Sequence, residues 1–346
     1  MKRLALVLLI MILAGSVAFG QARMEHEMSA QIFHPLSTTQ NRDDKSSLNL
    51  YLLYSRLGEV EGIDAGYGFS HLSGDMRGVQ YSGGGSLVGG ELRGVSYNGV
   101  FGVVRGPVRG VQASGVANWA EREVRGVQAT GVVNWAGGPV RGLQASGVVN
   151  IAGDLQGVQA AGVANVARDV EGVQVGLINI ARHMEGVPIG LVSISQNGGA
   201  QLSGWYGGVT EANAGLRFRS GAFYTLFSYG LSSGSYGGFA EAFEEATVAS
   251  SSFSFGARIP LGPAYLNFDA GLLGVDGDTL AAFDEGSDRF GGQYRAMVEL
   301  PLFWGLSASA GVGSYYLVEG SEEMQPRDLE DGVWSDFWFV GAGVEL

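Results

Sequence analysis

The side chains best equipped for chemistry are sparse and badly placed for it. The chain has four histidines, His26, His34, His71 and His183, and no cysteine. His26 and His34 fall in a polar N-terminal stretch, His71 at the end of an alternating segment, and His183 in a repeat turn. No pair has the spacing of a metal-binding helix, and a zinc site has no thiolate to draw on. Met24-Glu25-His26-Glu27 holds ligating residue types but reads as a solvated tail. A serine–histidine couple at His71 or His183 would need a third group to orient the base, and no spacing marks one. GVFGVVRG and GGGSLVGG are glycine-rich but precede no helix, so they read as strand and turn rather than phosphate cradles. Asp276-Gly277-Asp278 is too short for a calcium loop. The expectation is a non-enzymatic chain with no catalytic residue, no cofactor and no metal.

One polar set stands out once strands are drawn around it. Beyond residue 210 apolar and polar residues alternate: Phe253, Phe255, Ala257 and Ile259 against Ser252, Ser254, Gly256 and Arg258. Leu266, Phe268, Ala270 and Leu272 likewise oppose Asn267, Asp269 and Gly271, and Tyr294, Ala296, Val298 and Leu300 oppose Arg295, Met297 and Glu299. A period of two is that of a strand with unlike faces. On this reading Arg217, Arg219, Arg258, Asp269, Arg295 and Glu299 share the polar face and are candidates to line the lumen of a barrel. They would form either a salt-bridged network filling a narrow interior or charges lining a water-filled pore. A barrel of about 8 strands is filled by side chains, whereas about 16–18 leave a channel.

The connections favour a membrane barrel. RSG (219–221), LGP (261–263) and PLFWG (301–305) are short turns, whereas 232–251, 274–289 and 318–333 are long, the last two acidic. Short turns at one end and long polar loops at the other are the asymmetry of outer-membrane barrels. The chain closes on DFWFVGAGVEL, with Trp338, Val340, Ala342, Val344 and Leu346 on one face. This segment resembles the closing strand of outer-membrane β-barrel proteins, although those usually end in an aromatic residue. Seven strands are expected here: 212–219, 222–231, 252–259, 264–273, 292–300, 305–316 and 334–346.

Composition agrees with export. MKRLALVLLIMILAGSVAFGQA joins Lys2 and Arg3 to an apolar run and then small residues, the pattern of a secretory signal peptide. The net charge is −13, and loss of Lys2 and Arg3 takes it to −15, so nucleic acid is an improbable partner. Glycine supplies 58 of 346 residues and proline only 8, which fits many strands and tight turns rather than collagen or a linker. No apolar run after the signal approaches a membrane helix, so insertion would use strands. Outer-membrane lipid and the general export and barrel-assembly machinery are the partners this implies.

The middle of the chain repeats. Glycine recurs at Gly78, Gly94, Gly110, Gly126, Gly142, Gly157, Gly172 and Gly186, with spacings falling from 16 to 14. Within Gly126–Ala136, Val127, Ala129, Gly131, Val133 and Trp135 share one face, and Gln128, Thr130, Val132 and Asn134 the other. Read as one strand of about 9–11 residues, the unit is a membrane-spanning wall strand with its apolar face toward lipid. With the strands upstream and one near 202–210, the total is about 18, an even number as such barrels require. Stacked rungs of a β-solenoid, with Gln and Asn ladders facing a partner, fit the same repeat. Gln174-Val175-Gly176 lacks one residue relative to Gln159-Ala160-Ala161-Gly162. A wall strand would need a bulge there, while a solenoid absorbs the loss at a corner. GVQVGLINIA (172–181), followed by GVPIGLVSIS, resembles exported bacterial surface-repeat proteins built from GVQxGLxNxA units. The resemblance covers roughly residues 60–195 and implies an envelope location, with no functional residue to carry over.

The expected fold class is therefore all-β: an outer-membrane-type antiparallel barrel whose N-terminal half is made of short-repeat strands. The alternative is an N-terminal β-solenoid joined to a smaller C-terminal barrel. The expected segments are a signal peptide at 1–22, a polar stretch at 23–46, the repeat region at 47–200 (eight units, 77–195) and barrel strands at 201–346. The expected function is an integral outer-membrane protein, in one version a passive channel. The alternative is a surface or periplasmic repeat protein acting as a binding or structural module.

Overall fold

The structure, a computed structural model, describes residues 27–31, 45–233, 246–277, 289–319 and 333–346. The expected signal peptide, His26, His34 and most of the three long loops lie outside these residues. The chain is all-β, as expected, and is built from two strand systems of opposite kind.

The first is a parallel sheet of twenty strands running from Glu27–Gln31 to Val192–Ser195 and wound as a solenoid. Each turn contributes two strands, such as Val108–Ser114 and Ala117–Ala120, joined by a short arc at Gly115-Val116. A charged loop, Glu121-Arg122-Glu123, then leads into Val124–Thr130 one rung on. Like residues stack on like: Arg109 on Arg125 on Arg141, Gly110 on Gly126 on Gly142, Gln112 on Gln128 on Gln144. Of the two arrangements open to the repeats, the structure shows the solenoid; the GVQ units are not wall strands, and the total of about 18 does not hold. The reason lies in the arc. The expected strand Gly126–Ala136 breaks at Gly131-Val132 into Val124–Thr130 and Val133–Ala136. The inward parity is the same on both sides of the break, with Val132 alone of that face turned out to solvent, so the two short strands read as one long one.

The recurring glycine is demanded by rung stacking. Gly126 has φ +132°, and a Cβ on it would lie 2.1 Å from the carbonyl oxygen of Gly110 in the rung below. No side chain fits that approach. The shortened unit is also explained. Val175 pairs with Ala160 and Ile178 with Ala164, so both strands keep register. The arc alone contracts, to Gly176-Leu177.

The solenoid interior is divided. Near the charged loops lies a dry column in which Val108, Val124, Val140 and Leu155 face Ala120, Ala136, Ala152 and Ala167. Toward the arcs the interior turns polar. Gln128, Gln144, Gln159 and Gln174 each donate to the glutamine one rung earlier at 2.7–3.0 Å. Asn118, Asn134, Asn150 and Asn165 each donate to the asparagine one rung later at 2.9–3.1 Å. The two amide ladders thus run in opposite senses. They are fully buried, and the expectation that they would face a partner is corrected: they hold the rungs to one another, because an amide can bond up and down a stack at the rung spacing.

The second system is a closed antiparallel barrel of eight strands: Gly199–Tyr206, Ala212–Ser220, Phe223–Ser233, Ala246–Leu261, Ala264–Gly277, Arg289–Pro301, Leu306–Glu319 and Val333–Glu345. Closure comes from Gly199–Tyr206 pairing with Val333–Glu345. The expected alternation is realised throughout, with Phe255, Phe268, Tyr294, Val312 and Trp338 outside and Ser254, Asn267, Arg295, Ser314 and Phe339 inside.

Candidate functional site

The six expected polar residues meet inside the barrel, because each sits at an inward position of its strand. Glu299 is their centre. Its carboxylate accepts from Arg217 at 2.9 Å, Arg258 at 3.4 Å, Gln201 at 3.1 Å and Asn267 at 3.1 Å. Arg295 donates to Asp269 at 2.9 Å, and the Tyr224 hydroxyl donates to the same side chain at 2.9 Å. Arg219 pairs with Glu345 at 2.6 Å, at the short-turn end. Aromatic rings cover the cations. Arg217 lies 4.6 Å from the Tyr224 ring centre, Arg258 3.5 Å from Tyr265, and Arg295 5.3 Å from Trp205.

Apolar residues lie between the ion pairs and beyond them, Met297 standing between Arg295 and Glu299 on one strand. Trp205, Met297 and Phe339 form one cluster, and Val248, Leu273, Val275 and Leu317 form another nearer the loops. The void enclosed among Gln201, Arg217, Arg295 and Glu299 is about 20 Å³, room for about one water. Chemically the arrangement can neutralise and hold charges, and the void beside Glu299 is too small for a substrate. The larger hollow that Asp269 and Arg295 border is lined mainly by wall residues such as Phe268, Tyr294, Val312 and Trp338. Sequence reasoning missed Gln201, Trp205, Tyr224, Asn267 and Glu345 as members of the set. Glu345 was within reach, since it alternates with Val344 and Leu346 on the closing strand.

Outside, the wall is apolar. Ile259, Leu272, Tyr294, Val298, Val312, Trp338 and Val340 all stand exposed. Aromatics gather at both ends: Phe303 and Trp304 at a short turn, where Trp304 is 91% exposed with φ +57°, and Tyr229, Phe290 and Trp334 toward the loops.

The solenoid carries a second graded surface. Along the arcs Val100, Val116, Val132, Val148, Val163, Leu177 and Leu191 form an exposed apolar edge, with Val116 at 45%. Flanking it outward are Ala113 and Ala117, then Val111 and Trp119, and Trp119 stacks on Trp135 at 3.8 Å. The opposite corner is ionic. Arg93 and Arg109 share Glu91, Arg125 and Arg141 share Glu123, and Arg182 holds Asp169 at 2.6 Å.

Of the histidines described, His183 sits at this charged corner in register with Asp169. His71 Nδ1 lies 3.4 Å from the Tyr54 hydroxyl, and partial burial with Arg56 and Arg105 nearby pushes its pKa down. Among the described residues no group of three or more His, Asp or Glu side chains is placed to hold a metal. One buried carboxyl went unnoticed in the sequence. Asp64 occupies a ladder position in register with Asn49 and Gln80. It accepts from Asn49 at 2.5 Å, Ser70 at 2.7 Å and Gln80 at 2.9 Å, and burial nonetheless pushes its pKa up.

No protein-family model and no curated protein matches the chain. Two solved structures are similar to part of it. One is the N-terminal β-barrel domain of Pseudomonas aeruginosa OprF, at 13% identity and a TM-score of 0.30. The other is outer membrane protein H (OprH) of the same organism, solved in DHPC micelles, at 16% identity and a TM-score of 0.31. Each similarity spans 43% of this chain and 99% of the other. At these scores neither likeness bears on function.

Proposed function

We propose that the protein is a non-enzymatic outer-membrane protein in which the eight-stranded barrel is a closed lipid anchor and the solenoid is the structural or binding module it holds. The observation that carries this reading is the barrel's polarity: apolar and aromatic side chains outside, ion pairs within. In water that order is inverted, and in lipid it is the stable one. The span fits too. From Trp334 to Val344 is ten residue steps, which at about 3.3 Å each and a tilt of about 40° rise about 25 Å, the height of an outer-membrane hydrocarbon band. Short turns mark the periplasmic end, and the solenoid enters the barrel there, at Gly199. The lipid itself, and the machinery that exports and assembles barrels, are the partners this reading requires.

A passive channel would need a water path past Arg295 and Glu299, and the filled interior argues for a closed barrel instead. Planar-bilayer recording from purified full-length protein tests the point. The membrane should show no single-channel steps at either polarity after insertion is confirmed by protease protection. Stable, ohmic steps would instead establish a pore and overturn the closed-anchor reading.

A further inference from the structure

The solenoid's surface is inverted relative to a soluble protein. Beneath the apolar edge the interior holds Gln128, Thr130 and Asn134 rather than a dry core, while Val and Trp face outward. In the rung of Val116 the surface runs from the edge through Ala113 and Ala117, then Val111 and Trp119, to Arg109 and Glu121. Neighbouring rungs keep the Trp119 position apolar with Val103, Trp135, Ile151 and Val166. An apolar tip, an apolar flank that includes the stacked Trp119 and Trp135, and a charged rim are the profile of an element seated at a membrane interface.

The junction with the barrel gives this gradient a direction. The last rung comprises Val187–Ile189 and Val192–Ser195, and its strand Val192–Ser195 lies against the barrel's outer wall at Ala212–Ser220 and Phe223–Ser233. Its charged corner sits at the short-turn end. A Cβ on Gly221 would meet the Met184 carbonyl oxygen at 2.5 Å, and Asn197 bonds both the amide and the carbonyl of Met184. Its apolar edge lies further up the same wall, where Thr225 Oγ1 donates to the Leu191 carbonyl at 2.9 Å. Ser220 and Thr225, both outward-facing, are buried under this contact. The rung is therefore oriented with its charged corner toward the periplasmic end and its apolar edge toward the membrane. The strand Val192–Ser195 pairs with Ile178–Met184 and turns its other side to the wall, so the rungs stack away from the barrel. About ten rungs at about 4.8 Å each extend about 48 Å.

We infer that the solenoid lies along the periplasmic leaflet, with the arc edge from Val100 to Leu191 seated in lipid beside the barrel and the Arg–Glu corner in water. The inference rests on the proposed insertion of the barrel. It assigns to the repeat array a lipid surface as its ligand, and it explains why the arc position is Val or Leu in every rung from Val100 to Leu191, whereas the two rungs before them carry Gly68 and Gly84.

The chain has no native cysteine, so single labels test it cleanly. Val132→Cys on the edge, Glu123→Cys at the charged corner and Val298→Cys on the barrel wall are each made in the full-length protein and labelled with NBD. They are then reconstituted in phosphatidylethanolamine–phosphatidylglycerol vesicles carrying acyl-brominated lipid. The label at 132 should lose emission to bromine as strongly as the label at 298, and the label at 123 should respond only to aqueous iodide. Quenching at 298 without quenching at 132 overturns the lipid seat while leaving the anchor intact, whether the edge then proves open to iodide or shielded by a second copy of the chain. Failure of bromine to quench at 298 overturns the anchor, and with it this inference.

Discussion

Two buried carboxylates show how much a single residue decides here. Glu299 is held by Arg217, Arg258, Gln201 and Asn267, so Glu299→Ala leaves two buried guanidiniums without their counter-charge. Breaking such a network costs about 3–5 kcal/mol, and urea unfolding in micelles, followed by Trp205 and its neighbours, should show that loss. Glu299→Gln keeps an acceptor and should cost less; equal losses would mean that the charge alone carries the contribution and the retained acceptor adds nothing. Asp64 behaves in the opposite way. Burial raises its pKa, so the folded chain binds the proton more tightly than the unfolded chain does. Its contribution to stability is therefore greatest below the ordinary aspartate range and falls as pH rises through the folded value. Asp64→Asn continues the amide ladder, and it should stabilise the solenoid at neutral pH by about 1 kcal/mol and flatten the acid-side slope. Thermal melts at pH 5 and pH 8 check both effects, and a melting point lowered at pH 8 would show that the carboxylate is preferred. The charged members of the barrel site could be read from alternation alone. Asp64 needed the repeat extended one unit upstream, since Gly62-Ile63-Asp64 stands 16 residues before Gly78-Val79-Gln80 and puts an aspartate in the glutamine's place.

At the scale of the element, the barrel strands were legible because a wall with an apolar outer face and a polar interior imposes a strict period of two, with every inward residue named by its neighbours. The rungs were not, because the same parity holds on both sides of the Gly-Val arc and hides a reversal of the chain. What distinguished them was the shortened unit at Gln174-Val175-Gly176, which a corner absorbs without the bulge a wall strand would need, together with a glycine every 14–16 residues. Parallel register has a direct chemical signature. Val111 and Val127 face outward on adjacent rungs, at a strand spacing within the range a disulfide bridges. Val111→Cys with Val127→Cys should cross-link under mild oxidation, whereas Val111→Cys with Gln128→Cys should not, as Gln128 points inward. The reverse pattern would displace the register by one residue. The ladder glycine should be equally unforgiving. Gly126→Ala meets a backbone oxygen at 2.1 Å, whereas Gly262→Ala meets nothing within 4 Å and pays only for its φ, about 1–2 kcal/mol. Melting of the two variants should rank them in that order.

Across the whole molecule, two architectures with opposite strand polarity share one apolar boundary. The barrel wall carries it around a closed interior, and the solenoid carries it along the arc edge, meeting the wall at Leu191 and Thr225. Charge is kept inside the barrel, where Glu299 and Asp269 neutralise the arginines, and on the far corner of the solenoid, where Glu91 and Glu123 do so. Both placements remove charge from the surface that would face lipid, and neither is needed by a protein living in water. The most direct measurement of that claim is extraction of membranes with alkaline carbonate. The full-length protein should stay in the pellet and, unboiled, migrate faster than its heat-denatured form. Release into the supernatant with no heat-dependent shift would contradict a membrane-inserted barrel.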